Sequence, residues 1–185
     1  MKIAITGHTS GLGKTLAKEL NKNHEIIGFS RKNIAIENYK KIVNKTLDCD
    51  IFINNAHSYF YQTLLLQEIF NKWKNKNKTI VNIISRSKYP NISEGFLYSS
   101  SKASLSHLSH SLRFKTEKKC KIIDVCPGLI NSKIDSLTYK ETADIIIWCL
   151  NQPNHIEIGE ISFWHKTPNL KIQKIKKRKK KKKFD

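Results

Sequence analysis

Short apolar runs alternate with stretches in which apolar residues recur every three or four positions. KIAIT (2–6), HEIIGFS (24–30), DIFINNA (50–56), TIVNIIS (79–85), KIIDVCPG (121–128) and IEIGEISFW (156–164) have the length and continuity of buried strands. Between them, LGKTLAKELNKN (12–23) puts Leu12, Leu16 and Leu20 on one helical face. YKKIVNK (39–45) predicts a short helix, TLLLQEIFNKW (63–73) a longer amphipathic one, and residues 140–150 a further one. Tyr98 to Lys118 predicts a helix with Ala103, Leu105, Leu108 and Leu112 as its apolar stripe. Strands that are apolar throughout, each followed by a helix, predict an α/β fold: a doubly wound, Rossmann-type parallel sheet covered on both faces, in a single domain.

The first turn of that pattern, ITGHTSGLGKT, admits two readings. As Thr6-Gly7-x3-Gly11-x-Gly13 it is a dinucleotide-binding loop; ending in Gly13-Lys14-Thr15 it approaches a P-loop. Either would set glycines and a helix N-terminus against phosphate. A P-loop needs glycine where His8 stands, and a magnesium-holding acid after a later strand, where TIVNIIS ends in serine and DIFINNA in amides. The dinucleotide reading is therefore preferred.

Downstream residues bring in a known family. Asn54-Asn55-Ala56 resembles an Asn-Asn-Ala-Gly motif. Ser85 precedes Tyr98 by 13 residues, Tyr98-Ser99-Ser100-Ser101-Lys102 has the form Y-x-x-x-K, and Pro127-Gly128-Leu129-Ile130-Asn131-Ser132 resembles a P-G motif. In this order, behind the glycine loop, they resemble the classical members of the short-chain dehydrogenase/reductase family, over roughly residues 1–165. The resemblance implies Ser85, Tyr98 and Lys102 as catalytic residues, with Tyr98 as acid/base. It implies a cofactor held by Gly7, Thr9, Ser10, Gly11, Leu12, Gly13, Ser30, Arg31, Asn55, Ala56, Tyr98, Lys102, Pro127, Gly128 and Ile130. The chemistry fits the residue types. Tyr98 and Lys102, at i and i+4, share a helix face, and a nearby ammonium favours the phenolate. Ser30-Arg31-Lys32 follows the second strand with no acid among them. Arginine there suits a 2′-phosphate, so NADP is expected over NAD. The expected function is hydride transfer between NADP(H) and a small carbonyl or alcohol substrate. The alternative is an NADP(H)-binding sensor or scaffold with weak catalysis.

Four departures motivate that alternative. His57 replaces the motif's glycine and is expected to be a surface residue. The asparagine that many members use to link the lysine to water is expected near Ser58, and none is there. The segment 32–50 is compressed, with Ala35 or Glu37 near the place of an adenine-contacting Asp. The lid region is reduced to IDSLTY (134–139), which implies an open pocket or one closed by a partner.

Composition and charge refine the picture at the edges. Of the net charge of +19, nine units come from the last fifteen residues, KIQKIKKRKKKKKFD. Residues 169–185 are expected to be a disordered polybasic tail on a domain spanning 1–168, with weak polyanion contact as its one suggested role. No apolar run is long enough for a membrane span, and MKIAIT opens without a signal-peptide core, so a cytoplasmic protein is expected. Cys49, Cys120, Cys126 and Cys149 form no metal-spaced pairs. His107 and His110 are expected on a polar helix face, with no metal site. Homodimer or tetramer formation is expected through the helices 63–73 and 98–118, as the family resemblance implies.

Overall fold

The computed structural model describes residues 1–90, 95–115, 117–131 and 135–166. Six strands form one parallel sheet: β1 (Lys2–Thr6), β2 (Glu25–Phe29), β3 (Ile51–Asn54), β4 (Thr79–Ile83), β5 (Lys121–Pro127) and β6 (Glu160–Phe163), in the spatial order β2-β1-β3-β4-β5-β6. Five helices cover it: α1 (Gly11–Leu20), α2 (Tyr39–Lys45), α3 (Tyr61–Trp73), α4 (Phe96–Arg113) and α5 (Tyr139–Leu150). This is the doubly wound fold that the strand-helix alternation predicts. Its order is the dinucleotide-binding order 3-2-1-4-5-6 without the strand outside β2 and with one further strand, β6, at the opposite edge. The compressed segment after β2 holds a 3-10 turn (Ile36–Asn38) and α2 but no strand, so β2 is the sheet edge.

Alternation along each strand divides the core in two. Ala4, Phe52, Ile80 and Ile122 face one side, with α2, α3 and α4 packed on them around the fully buried Trp73. Ile3, Ile5, Ile51, Ile53, Val81 and Ile123 face the other, against Leu12, Leu16 and Leu20 of α1 and Ala143 and Ile146 of α5. Full burial of each such side chain contributes about 1.5–3 kcal/mol, so the two apolar faces hold the helices to the sheet.

Element ends follow local chemistry. α5 begins on a capping box: Thr138 Oγ1 accepts from the Glu141 N–H at 3.1 Å, and Glu141 accepts from the Thr138 N–H at 2.7 Å. α4 stops at Arg113 rather than continuing to Lys118, because Leu112 is the last residue of its buried face. Its buried positions are Ser101, Lys102, Leu105, Ser109 and Leu112, so the stripe includes polar members that a purely apolar reading passes over. β6 is shorter than its apolar run because pairing with β5 begins at Glu160, after Gly159. Ser132, the last residue of the P-G motif, position 134 of the expected lid and the 169–185 tail lie outside the described residues.

The tightest contact sets the position of α1. A Cβ on Gly13 would lie 2.2 Å from the Gly7 carbonyl oxygen and 2.6 Å from Asn55 Nδ2. Helix and loop touch backbone to backbone there, and neither partner is a flexible chain end. Gly13→Ala should therefore destabilise the protein by about 1–3 kcal/mol or more, outweighing the roughly 1 kcal/mol that alanine offers a helix. Gly159→Ala, where a new Cβ meets only the Arg113 side chain at 3.3 Å, should be far milder. Urea midpoints of the two variants check this.

Candidate active site

The strand order reverses between β1 and β3, and there the chain is spliced most closely. Thr6, 1% exposed, receives the N–H groups of Asn55 and Ala56 on its hydroxyl, both at 2.9 Å. Asn55 Nδ2 donates back to the Thr6 carbonyl at 2.9 Å. The Gly7 N–H donates to the Phe29 carbonyl of β2 at 2.7 Å. Gly7 and Gly11 take φ of +73° and +52°, a region that favours glycine. This crevice outside the carboxyl ends of the strands is where open α/β sheets bind ligands.

A cleft of about 460 Å³ opens there, its lining including Gly7, Thr9, Ser10, Ser30, Arg31, Asn55, Ala56 and His57. Gly11 and Gly13 begin α1 beside it, and Leu12 turns its side chain into the core at 7% exposure, leaving only its backbone for a ligand. Pro127 and Gly128 end β5, and Ile130 bridges to Leu137. These residues fit a dinucleotide: the glycines leave backbone where side chains would otherwise stand, the unpaired first-turn amides of α1 suit a pyrophosphate, and Arg31 stands at the β2 end.

Asn33 shapes the Arg31 turn. Its Oδ1 accepts from the Ser30 N–H at 2.6 Å, and its Nδ2 donates to the Gly28 carbonyl at 2.7 Å. The sequence reading passed over it, although asparagine just after a strand is a recognised turn-former. Glu37 also lines the cleft, so an acid is present after all. Its Oε1 accepts from Ser58 Oγ at 2.6 Å, and that bond is the first cause holding its carboxyl below the usual range.

At the β4 end, Ser85, Tyr98 and Lys102 come together. Ser85 caps the turn Arg86–Lys88, accepting from the Ser87 N–H at 3.1 Å, and its hydroxyl is hydrogen-bonded with the Tyr98 phenol. Burial pushes the Tyr98 pKa up, and the Ser85 bond opposes it. Lys102 Nζ lies 5.5 Å from the Tyr98 ring centroid. The expected lowering of the Tyr98 pKa by Lys102 does not prevail in this structure, because the ammonium is drawn inward. Nζ donates to Gln62 Oε1 and to the Ile83 carbonyl, both at 2.7 Å. Lys102 is 3% exposed, and burial brings its pKa down to about 7.

Two departures from the sequence reading stand out. His57 is exposed, yet it is not remote from the site. Its ring is edge-on to Tyr98 with centroids 4.8 Å apart, and Nε2 lies 3.1 Å from Ser101 Oγ. Burial, then the nearby Lys102 charge, lowers its pKa. Beside the lysine, where an asparagine was sought near Ser58, the partner is Gln62 on α3, one helical turn later and 2% exposed. The signal available in the sequence was a polar residue on the inward face of an otherwise apolar helix. His107 and His110 are exposed, and among the described residues no group of three or more His, Cys, Asp or Glu could hold a metal ion. The four cysteines are buried, free thiols.

The Lys102 pKa has a consequence for stability. The unfolded chain keeps this proton up to about its ordinary 10.5, whereas the folded chain releases it near 7. Between those values the unfolded state binds more protons, so this residue's contribution to stability improves as pH rises. The difference in Tm between wild type and Lys102→Met should move in favour of wild type as pH is raised from below about 7 towards about 10. Paired thermal melts across that range test it.

A model of the short chain dehydrogenase family matches residues 33–143, which hold Asn54 to Ala56, Ser85, Tyr98, Lys102 and Pro127-Gly128. An uncharacterized oxidoreductase of Staphylococcus saprophyticus is 20% identical, the alignment covering 88% of this chain and 86% of that one. Among solved structures, the serine dehydrogenase of Escherichia coli superposes with a TM-score of 0.75 at 19% identity, over 91% of this chain and 100% of that one. The 3-alpha-hydroxysteroid dehydrogenase of a Pseudomonas species, complexed with NADH, does so at 0.74 and 17%, over 88% and 94%. A short chain dehydrogenase of Burkholderia cenocepacia, in complex with NADP, gives 0.70 and 17%, over 87% and 86%. At these identities the structural likeness speaks for the fold alone. The family match covers more than half of the chain, and with the site's geometry it makes this protein a member of the short-chain dehydrogenase/reductase family, an NAD(P)-dependent oxidoreductase.

Proposed function

We propose that the protein reduces a small carbonyl compound with NADPH, or oxidises the corresponding alcohol with NADP, using Tyr98 as the acid/base. The observation that carries this is the meeting of the Ser85 hydroxyl, the Tyr98 phenol and the buried Lys102 at the β4 end, beside the cleft between β1 and β3. Gly7, Thr9, Ser10, Gly11, Gly13, Asn55, Ala56, Pro127, Gly128 and Ile130 would hold the cofactor, with Ser30 and Arg31 at the adenosine ribose. Backbone alone would serve at Leu12. When bound, the nicotinamide gives or takes the hydride at the substrate carbon.

The protein's own groups handle the oxygen. Ser85 Oγ donates a hydrogen bond to the substrate oxygen and orients it. Tyr98 gives its phenolic proton to that oxygen as negative charge develops, and takes it back in the reverse direction. Lys102 favours the phenolate that this leaves, and it contributes a donor to the cofactor ribose. His57 narrows the approach to Tyr98 from the cleft side.

Arg31 supports NADP over NAD, because a guanidinium pairs with a 2′-phosphate, whereas Glu37 is engaged by Ser58. Solved structures of the fold include one in complex with NADP and one with NADH, so the choice rests on this chain's residues. A domain of 1–168 with an appended basic segment, pairing of copies through α3 and α4, and a cytoplasmic setting belong to the same reading. Leu64 on α3 and Phe96 and Leu97 on α4 are exposed apolar positions, 43%, 79% and 66%, that such pairing would cover.

Tyr98→Phe should cut NADPH oxidation with an activated dicarbonyl by about 100-fold or more, while NADPH affinity, read by nicotinamide fluorescence, stays within about twofold. Retention of the full rate by that variant would overturn the proposed chemistry. Arg31→Met should weaken NADPH binding by about tenfold, the loss of one charge-assisted contact, and leave NADH binding unchanged. Equal loss for both cofactors would reject the role given to Arg31.

A further inference from the structure

Lys102 is held by a buried polar seam that crosses half the sheet. Asn54, Asn82 and Asp124 stand at one level on β3, β4 and β5, paired in register as Asn54 with Asn82 and Asn82 with Asp124. All three are at most 1% exposed. Asn54 Nδ2 donates to Asn82 Oδ1 at 3.2 Å and to the Gln62 carbonyl at 2.8 Å. Asn82 Nδ2 donates to Asp124 Oδ1 at 3.0 Å. Asp124 also takes Ser109 Oγ at 2.7 Å and Arg113 at 2.9 Å.

This arrangement leaves Gln62 no choice of orientation. Its Nε2 donates to the Asn54 carbonyl at 2.7 Å and lies 3.4 Å from the Ile83 carbonyl. With acceptors fixed on that side, its Oε1 must face Lys102. A reversed amide would set oxygen against two carbonyls and nitrogen against an ammonium. The direction also runs one way along the seam. From Asn54 the side-chain amides pass N–H to Asn82 and then to the Asp124 carboxylate, whose charge Arg113 balances, while Asn54 Nδ2 also ties back to the Gln62 main-chain carbonyl.

We propose that Gln62 is a positioning residue for the reaction, its side-chain amide held by the main-chain carbonyls of Asn54 and Ile83 on strands whose register the Asn54–Asn82–Asp124 seam fixes, so that its Oε1 takes the active-site lysine directly and fixes where the ammonium sits and how readily it gives up its proton. The proposal rests on the Tyr98–Lys102 reading above. It identifies the residue that occupies the place of the missing asparagine, and it makes the contact a direct one from a side chain. The other groups near Lys102 are Tyr98 on its own helix, His57 after β3 and Cys126 on β5. Burial pushes the Cys126 thiol up to about 12, so it stays neutral. The His57 pKa is lowered by burial and then by the Lys102 charge, but no hydrogen bond joins the two side chains. Gln62 is the neighbour whose replacement changes the charge or acceptor at Nζ itself.

The test reads Lys102 directly. The protein is labelled with 15N-lysine, and the side-chain signal lost in Lys102→Arg is followed against pH. Gln62→Glu, nearly isosteric, puts a carboxylate on Nζ and should raise the titration midpoint by about one pH unit or more, a tenfold gain in proton affinity. Gln62→Met keeps the volume, removes the acceptor and should lower the midpoint. The full-length variants are also titrated with NADPH, expecting Gln62→Met to bind it several-fold more weakly and Gln62→Glu to keep its affinity at a pH where wild-type Lys102 has lost its proton. A folded Gln62→Glu whose midpoint stays within about 0.3 of wild type would overturn the proposal, and either variant decides alone if the other does not fold. The Tyr98→Phe and wild-type NADPH measurements judge the oxidoreductase reading separately, because the lysine titration needs no turnover.

Discussion

A lysine ammonium at 3% exposure beside a sheet of Ile, Val and Phe is the most demanding group in this protein. Placing a charge in such surroundings is unfavourable by several kcal/mol unless acceptors meet it. The fold meets it with Gln62 and the Ile83 carbonyl, and meets Gln62 in turn with Asn54, Asn82 and Asp124. Five elements therefore have to arrive at one level: three strands in register and two helices with a polar residue turned inward. Strand register is enforced twice, by the apolar faces that a one-residue slip would reverse and by the amides that would then lose their partners.

The same end of the sheet carries the cofactor cleft, and the two regions share Asn54 and Asn55. Asn54 belongs to the seam beneath Lys102. Its neighbour Asn55 points to the other side and ties β3 to Thr6 at the reversal of strand order. One dipeptide thus connects the group that handles the proton to the crevice that holds the dinucleotide, by the alternation of a strand. His57, two residues on, lines that crevice and sets its ring edge-on to Tyr98.

Much of this was legible beforehand. Continuous apolar runs separated by helical periods gave the parallel sheet and its two covered faces, because burial on both sides leaves no polar alternation to read. The Ser85, Tyr98 and Lys102 spacing anticipated which side chains meet at the β4 end, since a strand end and an i, i+4 pair fix geometry over a short range. The end of α4 was overestimated, because Lys115 to Lys118 favour a helix locally while nothing there has a face to bury. His57 is exposed as expected, but exposure does not tell what an exposed ring leans on, and here it is Tyr98.

The sequence by itself determined most of the elements and the fold class, which depend on neighbours within a few positions along the chain. Tertiary structure alone decided what Lys102 is bonded to. Gln62 is forty residues away from it, and Asp124 forty-two from Asn82. A glutamine on an amphipathic helix has no local signature of the partner it will meet. That partner exists only once β3, β4 and β5 lie side by side in register, and only then does burial bring the lysine's pKa down to about 7.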